Sequence, residues 1–506
     1  MRAALLHPRQ DFDLTGPLPG HEQALTQDLG LGVLLRAMSG GDEPIERVSR
    51  HVLLSAWCDS VDTVLYRQAI LQDCLAQPDV VRQLHAIAVR AVEDRKKHYF
   101  GLFARSPTSI LSGAVDILRM LTARLRDLRS IADAHAGEFA SPGFKALFAM
   151  LHRELDDAYF AEIDGHLQAL KFRDGVLLSA GLGRAAEGIG HVLRQLRRDR
   201  RGWLRRLFGN SPPEFRFRLH ERDEAGAQIV SALSDRGINL VANALAQSAD
   251  HVLGFFTTLR AELAFYVGCL NLHRRLGDIG VPLAMPLPAA EGSRQLRFDD
   301  LGDACLALAS GQRPTGNSLD ANNCALLVIT GANQGGKSTF LRSLGVAQLM
   351  MQAGMFVAAG EFDASLCSGL YTHFKREEDA SMERGKFDEE LARMSEIAGW
   401  VRPGALLLFN EPFASTNERE GSEIASQIVC ALLEKRIQVA IVTHMYALAS
   451  ALKAANAGQS TFLRADRRDD GSRTFRLVLG EPLRTSFGMD LYREIFEAGA
   501  MRPESR

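Results

Sequence analysis

Gly331, Gly336, Lys337 and Ser338 stand at the spacing G-x-x-x-x-G-K-S, directly after the aliphatic run Leu326–Ile329. That order, an apolar strand, a glycine-rich turn and then a helix, is the arrangement that cradles phosphate groups. The glycines let successive backbone N–H groups turn toward the anion. Lys337 adds positive charge at the β- and γ-phosphates, and the Ser338 hydroxyl can ligate Mg²⁺. A helix starting near Lys337 points its partial positive end at the same place. Gly331, Ala332, Asn333, Gln334, Gly335, Gly336, Lys337, Ser338 and Thr339 are therefore the expected nucleotide ligands, for ATP with Mg²⁺.

Further residues fall where such a loop would need help. Ala405–Glu411 (ALLLFNE) reads as a buried strand ending in a polar pair. In phosphoryl-transfer ATPases the terminal acid of this strand holds the Mg²⁺ shell and the next acid orients the attacking water. Glu411 fits the second role. The first falls on Asn410, which keeps a carbonyl oxygen and lacks the charge that hard Mg²⁺ prefers, so weakened metal use is expected. Gln438–His444 (QVAIVTH) is a second buried-type strand, with His444 at its carboxyl end. His444 can read the γ-phosphate or the attacking water, although a histidine after a strand is often structural. Phe413–Gly421 is a polar loop or a plain helix lead-in. In Glu383–Ile397, apolar residues recur at helical spacing behind Gly385 and Lys386. Those two are either a second phosphate contact at a helix start or the beginning of an ordinary amphipathic helix.

These residues need elements to hold them. At 506 residues the chain is too long for one core. Residues 1–45 are mixed in character. Residues 46–285 form a mostly helical region, interrupted near 175–220 by strand-like texture (GVLLSAGLG, FRFRLHE) around a basic insertion. Pro282, Pro286 and Pro288 mark the next boundary. In residues 286–506 strands alternate with helices, which argues for a largely parallel, helix-covered sheet. A formal charge of −2 means that nucleic-acid contact must come from a local patch. The seven cysteines show neither disulfide nor zinc spacing. No apolar run is expected to span a bilayer and the first residues are not expected to form a leader, so a cytoplasmic protein with no membrane contact is expected.

Taken together, the motifs resemble those of the MutS family of DNA mismatch-repair ATPases. The loop TGANQGGKST is similar to the family's TGPNMGGKST, differing at Ala332 and Gln334. Asn333 matches the family's nucleotide-covering Asn, Val442–His444 its strand-end Thr-His, and Arg484–Gly488 (RTSFG) its closing segment. Met355–Ala358 and Tyr371–Lys375 resemble the family's two strands between the loop and its signature. The likeness spans roughly residues 296–495. Upstream, Tyr66–Leu84 resembles the first core segment of the family and Glu262–Leu276 the helix leading into the ATPase. The resemblance implies a multidomain chain, a helical core and lever region followed by an α/β P-loop ATPase domain of the ABC type, paired as a homodimer through the ATPase domain with composite sites. Departures are Asn410 for the family's acid and Gly385–Lys386–Phe387 for its Ser-Thr-Phe signature. There is also no room for the mismatch-reading module. Phe160-Ala161-Glu162 matches that module's Phe-x-Glu string but sits in a helical pattern, as a coincidence would.

Arginines surround Trp203 and Phe208 in the basic insertion. Arg194, Arg197, Arg198, Arg201, Arg205 and Arg206 are candidate DNA contacts, to phosphates rather than bases. The competing reading is a solvated face paired with Glu214, Glu221 and Asp223. The expected function is ATP-dependent DNA binding, for repair or for sensing DNA structure rather than single mismatches. The alternative is a nucleotide-switched scaffold that hydrolyses little and acts through protein partners.

Overall fold

In a computed structural model of the chain, the described residues are 1–55, 60–98, 106–172, 175–184, 188–194, 218–220, 222–332, 334–375, 385–456, 458–468 and 472–483. The first half is helical: α1 (Glu22–Asp28), α2 (Leu31–Ser39), α3 (Glu43–Ser55), α4 (Val61–Ala76), α5 (Pro78–His98), α6 (Pro107–His135), α7 (Pro142–Glu154) and α8 (Asp157–Ala169). A hairpin of β1 (Leu177–Leu182) and β2 (Gly188–Arg194) follows, then α9 (Glu224–Ile279). Local signals set several starts. Ser60, Ser106 and Asp156 each accept the N–H three residues on, from Thr63, Ser109 and Tyr159, which satisfies a donor that the helix leaves orphaned.

Packing divides the chain into two units whose segments interleave in sequence. One comprises Met1–Ala3, Arg82–Phe139 and Lys145–Arg260. Its core joins Leu111 and Val115 of α6, Leu167 of α8, and Ile238 and Ala242 of α9. Phe160 is buried in α8 under the Arg126 guanidinium, and Glu162 lies 3.5 Å from His166 on the same helix. The Phe-x-Glu string is thus part of an ordinary packed helix.

The other unit comprises Ala4–Val81, Ala140–Phe144 and Ala261–Arg506. Its amino-terminal strap is held from several sides. Glu262 accepts the Leu5 and Phe12 N–H groups at 2.6 and 2.9 Å, and the Tyr66 and Tyr266 hydroxyls donate to the Ala4 and Leu5 carbonyls at 2.6 and 2.7 Å. Arg67 donates to the Leu6 carbonyl at 2.8 Å.

The remaining elements of this unit are β3 (Leu287–Ala289), β4 (Leu296–Leu301), α10 (Ala304–Ser310), β5 (Asn317–Asp320), β6 (Leu326–Thr330), α11 (Lys337–Gln352), β7 (Glu361–Ser365) and β8 (Leu370–Phe374). They continue with α12 (Lys386–Trp400), β9 (Leu406–Asn410), α13 (Glu418–Glu434), β10 (Gln438–Val442), α14 (Tyr446–Ala455), β11 (Ser460–Arg467) and β12 (Arg473–Leu479). The six-stranded sheet runs β12-β11-β6-β10-β9-β8. Its strands are parallel except β12, which returns antiparallel beside β11. A smaller sheet runs β3-β7-β4-β5. The aliphatic runs of β6, β9 and β10 are buried, as both faces of a helix-covered parallel sheet require.

Three sequence expectations need adjustment. Tyr371–Lys375 is a strand, shifted by one residue, but Met355–Ala358 supplies only an isolated bridge from Val357 to Ala284, and the strand in this stretch is β7. GVLLSAGLG yields β1, whereas most of FRFRLHE lies outside the described residues. Finally, α9 contains a window long and apolar enough, by composition, to cross a membrane. Of that window 72% is buried within the protein, which is the pattern of a core helix.

Candidate nucleotide site

Strand register decides what meets at the carboxyl edge of the large sheet. Ile329 pairs with Val442, and Val442 with Asn410. The residues just beyond these strands, from Thr330, Glu411 and Thr443 onward, therefore emerge side by side. In open sheets of this kind ligands gather outside the carboxyl ends of the strands.

The loop leaves β6 through Gly331, whose φ of 111° is a conformation that L side chains rarely adopt. A Cβ there would stand 2.8 Å from the Ala465 nitrogen of β11. Gly336, at φ 86°, caps α11, and Lys337 is that helix's first residue. Gln334 is exposed at φ 59°, and Asn333 lies outside the described residues. Lys337 is only 5% exposed, and its ammonium folds back on its own loop, donating to the Gly331 and Ala332 carbonyls at 2.7 and 3.0 Å. Burial lowers its pKa; Glu411 opposes this and Arg473 adds to it. A desolvated ammonium held by two carbonyls of its own loop is poised for an anion.

Ser338, the next residue, donates its hydroxyl to Asn410 Oδ1 at 2.8 Å. Glu411 follows Asn410 with φ 52°, its N–H bound to the Val442 carbonyl at 2.9 Å. Strained backbone at this point aims the carboxylate off the strand end. His444 Nδ1 lies 3.6 Å from Glu411 Oε1, an electrostatic contact rather than a formed hydrogen bond. His444 is the largest influence holding the Glu411 carboxyl below its usual range, against burial, with Lys337 and Lys375 also lowering it. An ionised carboxylate beside an imidazole can polarise water and move a proton.

Ser338, Asn410, Glu411, His444 and Lys337 thus come together, although up to 107 residues separate them in sequence. Thr339 sits in the first turn of α11. Gly385 and Lys386 open α12 after the outer strand β8, and β9 and β10 stand between β8 and β6. In the basic insertion, Arg194 is on β2 and donates to Ser179 at 2.9 Å, while Arg197, Arg198, Arg201, Arg205 and Arg206 lie outside the described residues. So does Arg484–Gly488. No sequence motif points to the approach of the β11–β12 hairpin to the loop. Ala465 and Phe475 reach it only through the strand order, and no motif spacing encodes that.

Among the described residues no group of three His, Cys, Asp or Glu could hold a metal. Ser338 and Asn410 offer two neutral oxygens, enough to complete the shell of a Mg²⁺ carried in by phosphates and too little for a dedicated cage.

Comparison with known proteins adds two matches. The model of the MutS2 N-terminal domain matches residues 59–279, and that of MutS domain V matches residues 327–497. Endonuclease MutS2 of Thermus thermophilus is 32% identical over 181 residues, covering 35% of this chain and 24% of that protein. Endonuclease MutS2 of Exiguobacterium sibiricum is 32% identical over 164 residues, 32% of this chain and 20% of that protein. The DNA mismatch repair protein MutS of Thermus thermophilus is 28% identical over 166 residues, 33% and 20% of the two chains. The aligned part spans a quarter or less of each of these relatives.

Proposed function

The chain belongs to the MutS family, and from that premise we propose that it is an ATP-dependent DNA-binding protein in which nucleotide state gates DNA engagement. The observation that carries the reading is the meeting of Ser338, Asn410, Glu411 and His444 around the Gly331–Thr339 loop. The loop N–H groups and Lys337 bind the phosphates, and Lys337 leaves the Gly331 and Ala332 carbonyls to do so. Glu411 orients the attacking water and His444 senses the γ-phosphate. Bound Mg²⁺, with Ser338 and Asn410 in its shell, supplies neutralisation of the phosphate charge.

The domain organisation that goes with this reading keeps residues 286–506 as a P-loop ATPase domain of the ABC type and residues 46–285 as the helical core and lever region. Two chains pair through the ATPase domain, and Gly385 and Lys386 of one face the nucleotide of the other. The basic insertion contacts DNA backbone, so affinity falls steeply with salt. DNA structure, such as branches and ends, is recognised rather than single mismatches.

The test is a binding panel of matched duplex, one-base mismatch, junction and single strand, with and without ATP, at two salt concentrations. ATP-dependent binding with a preference for the junction is expected. Binding to none of them removes the DNA reading, and a several-fold preference for the mismatch overturns the structure-specific one. A second reading, a slowly hydrolysing nucleotide switch that acts through protein partners, is favoured by one observation: Asn410 leaves the metal position one charge short.

A further inference from the structure

We propose that Glu390 is a positioning residue for ATP hydrolysis: its carboxylate, tied to the Ser415 hydroxyl, holds the turn after β9 in the conformation that presents Glu411 to the attacking water. This rests on reading Glu411 as the water-orienting carboxylate.

The turn is one that needs holding. Glu411 and Phe413 both adopt left-handed backbone, at φ 52° and 55°, on either side of Pro412. Neither is a glycine, and such backbone persists only where its surroundings keep it there. Pro412 adds to the demand, because the residue before a proline is biased toward extended conformation. Several supports are visible. The Glu411 N–H is bound to the Val442 carbonyl at 2.9 Å. Phe413 is buried, with its ring centroid 5.3 Å from that of His373 and 6.4 Å from that of Phe387. Its carbonyl oxygen lies against Gly421 of α13, where a Cβ would stand only 2.5 Å away. The exit of the turn is tied to α12, where Ser415 donates its hydroxyl to Glu390 Oε1 at 3.0 Å.

Glu390 is itself on a fixed mount. His373 Nε2 donates to the Glu390 carbonyl at 3.1 Å and Arg393 donates to the Phe374 carbonyl at 3.0 Å, so this stretch of α12 is pinned to β8. Glu390 is only 4% exposed; burial pushes its carboxyl up, and the Ser415 hydroxyl and Arg393 oppose this. Burying a carboxyl is costly, and an apolar side chain of similar size would fill the space at lower cost. What the carboxyl adds is direction, a hydrogen bond of set geometry made where water does not compete. The turn that carries Glu411 is thus held at its start by β10 and at its exit by α12.

The experiment measures steady-state ATP hydrolysis, ATP affinity and thermal unfolding of the full chain for the wild type, Glu390→Leu, Glu390→Gln, Ser415→Ala, the Glu390→Leu/Ser415→Ala double variant and Glu411→Gln. Glu390→Leu and Ser415→Ala should each lower kcat by about tenfold or more while KM and ATP affinity stay within about twofold, because water is misplaced and nucleotide contacts are kept. Glu390→Leu should do so without loss of thermal stability. Glu390→Gln, which still offers an oxygen to Ser415, should stay within about threefold of the wild type, and the double variant should be no slower than the worse single one. Glu411→Gln should abolish turnover. Singles with near-wild-type kcat, losses that multiply in the double variant, or a raised KM at unchanged kcat overturn the inference and leave the reading of Glu411 standing. Full turnover by Glu411→Gln, or none by the wild type, overturns both.

Discussion

Ser338 and Asn410 join α11 to the end of β9 through a 2.8 Å hydrogen bond between two uncharged groups. On the proposed reading both groups border the metal, and Asn410 brings no charge to it. Restoring the acid should therefore speed turnover. Asn410→Asp is expected to raise steady-state ATP hydrolysis in Mg²⁺ by about tenfold or more, because transition-state charge gains a properly held cation. Comparable rates for the two proteins would mean that the missing charge does not limit the reaction and would favour a working ATPase over a switch.

Glu262 gives a pH prediction of definite sign. Burial pushes its carboxyl up from 4.5 to about 7, although the Leu5 and Phe12 N–H groups favour the ionised form. An acid whose folded value is raised contributes stability below its unfolded value and loses it as pH rises through the folded value. Glu262→Gln stays neutral throughout. Between pH 4.5 and about 7 the wild type should therefore lose roughly 3 kcal/mol relative to the variant. Denaturant unfolding of both proteins across that window checks it, and a constant difference would show that the carboxylate is not desolvated as the structure has it.

Gly331 should tolerate no side chain. Its φ of 111° and the Ala465 nitrogen 2.8 Å from a would-be Cβ leave Gly331→Ala with both strain and a backbone clash. A stability loss of about 1–3 kcal/mol is expected, with loss of nucleotide binding as the loop shifts. Thermal unfolding and nucleotide titration would measure the two effects, and an unchanged affinity would mean that the loop geometry is not the phosphate cradle.

The contrast between the loop and its surroundings explains what the sequence made legible. Leu326–Ser338 carries its own signal, since the buried run, the positive-φ glycines and the lysine are neighbours in the chain. Glu411 and His444 could be picked out because each ends an aliphatic strand. The hairpin residues Ala465 and Phe475 could not, since they reach the loop only through the pairing of β11 with β6. The strap was equally hidden: nothing in Ala4–Phe12 announces that Glu262 and Tyr266 hold its backbone. Met355–Ala358 misled because its apolar residues are buried without being laddered into a strand.

That strap has a consequence in time. The Leu5 N–H meets its carboxylate partner 257 residues later in the chain. At translation rates of about 5–20 residues per second, Glu262 is made roughly 13–50 s after Leu5. Until then Leu5 and Leu6, wholly buried in the finished fold, lack the contacts of Glu262 and Tyr266, and of the strap's partners named above only Tyr66 and Arg67 have been made. The strap of residues 4–12 is thus completed only when α9 has been made, long after its own residues.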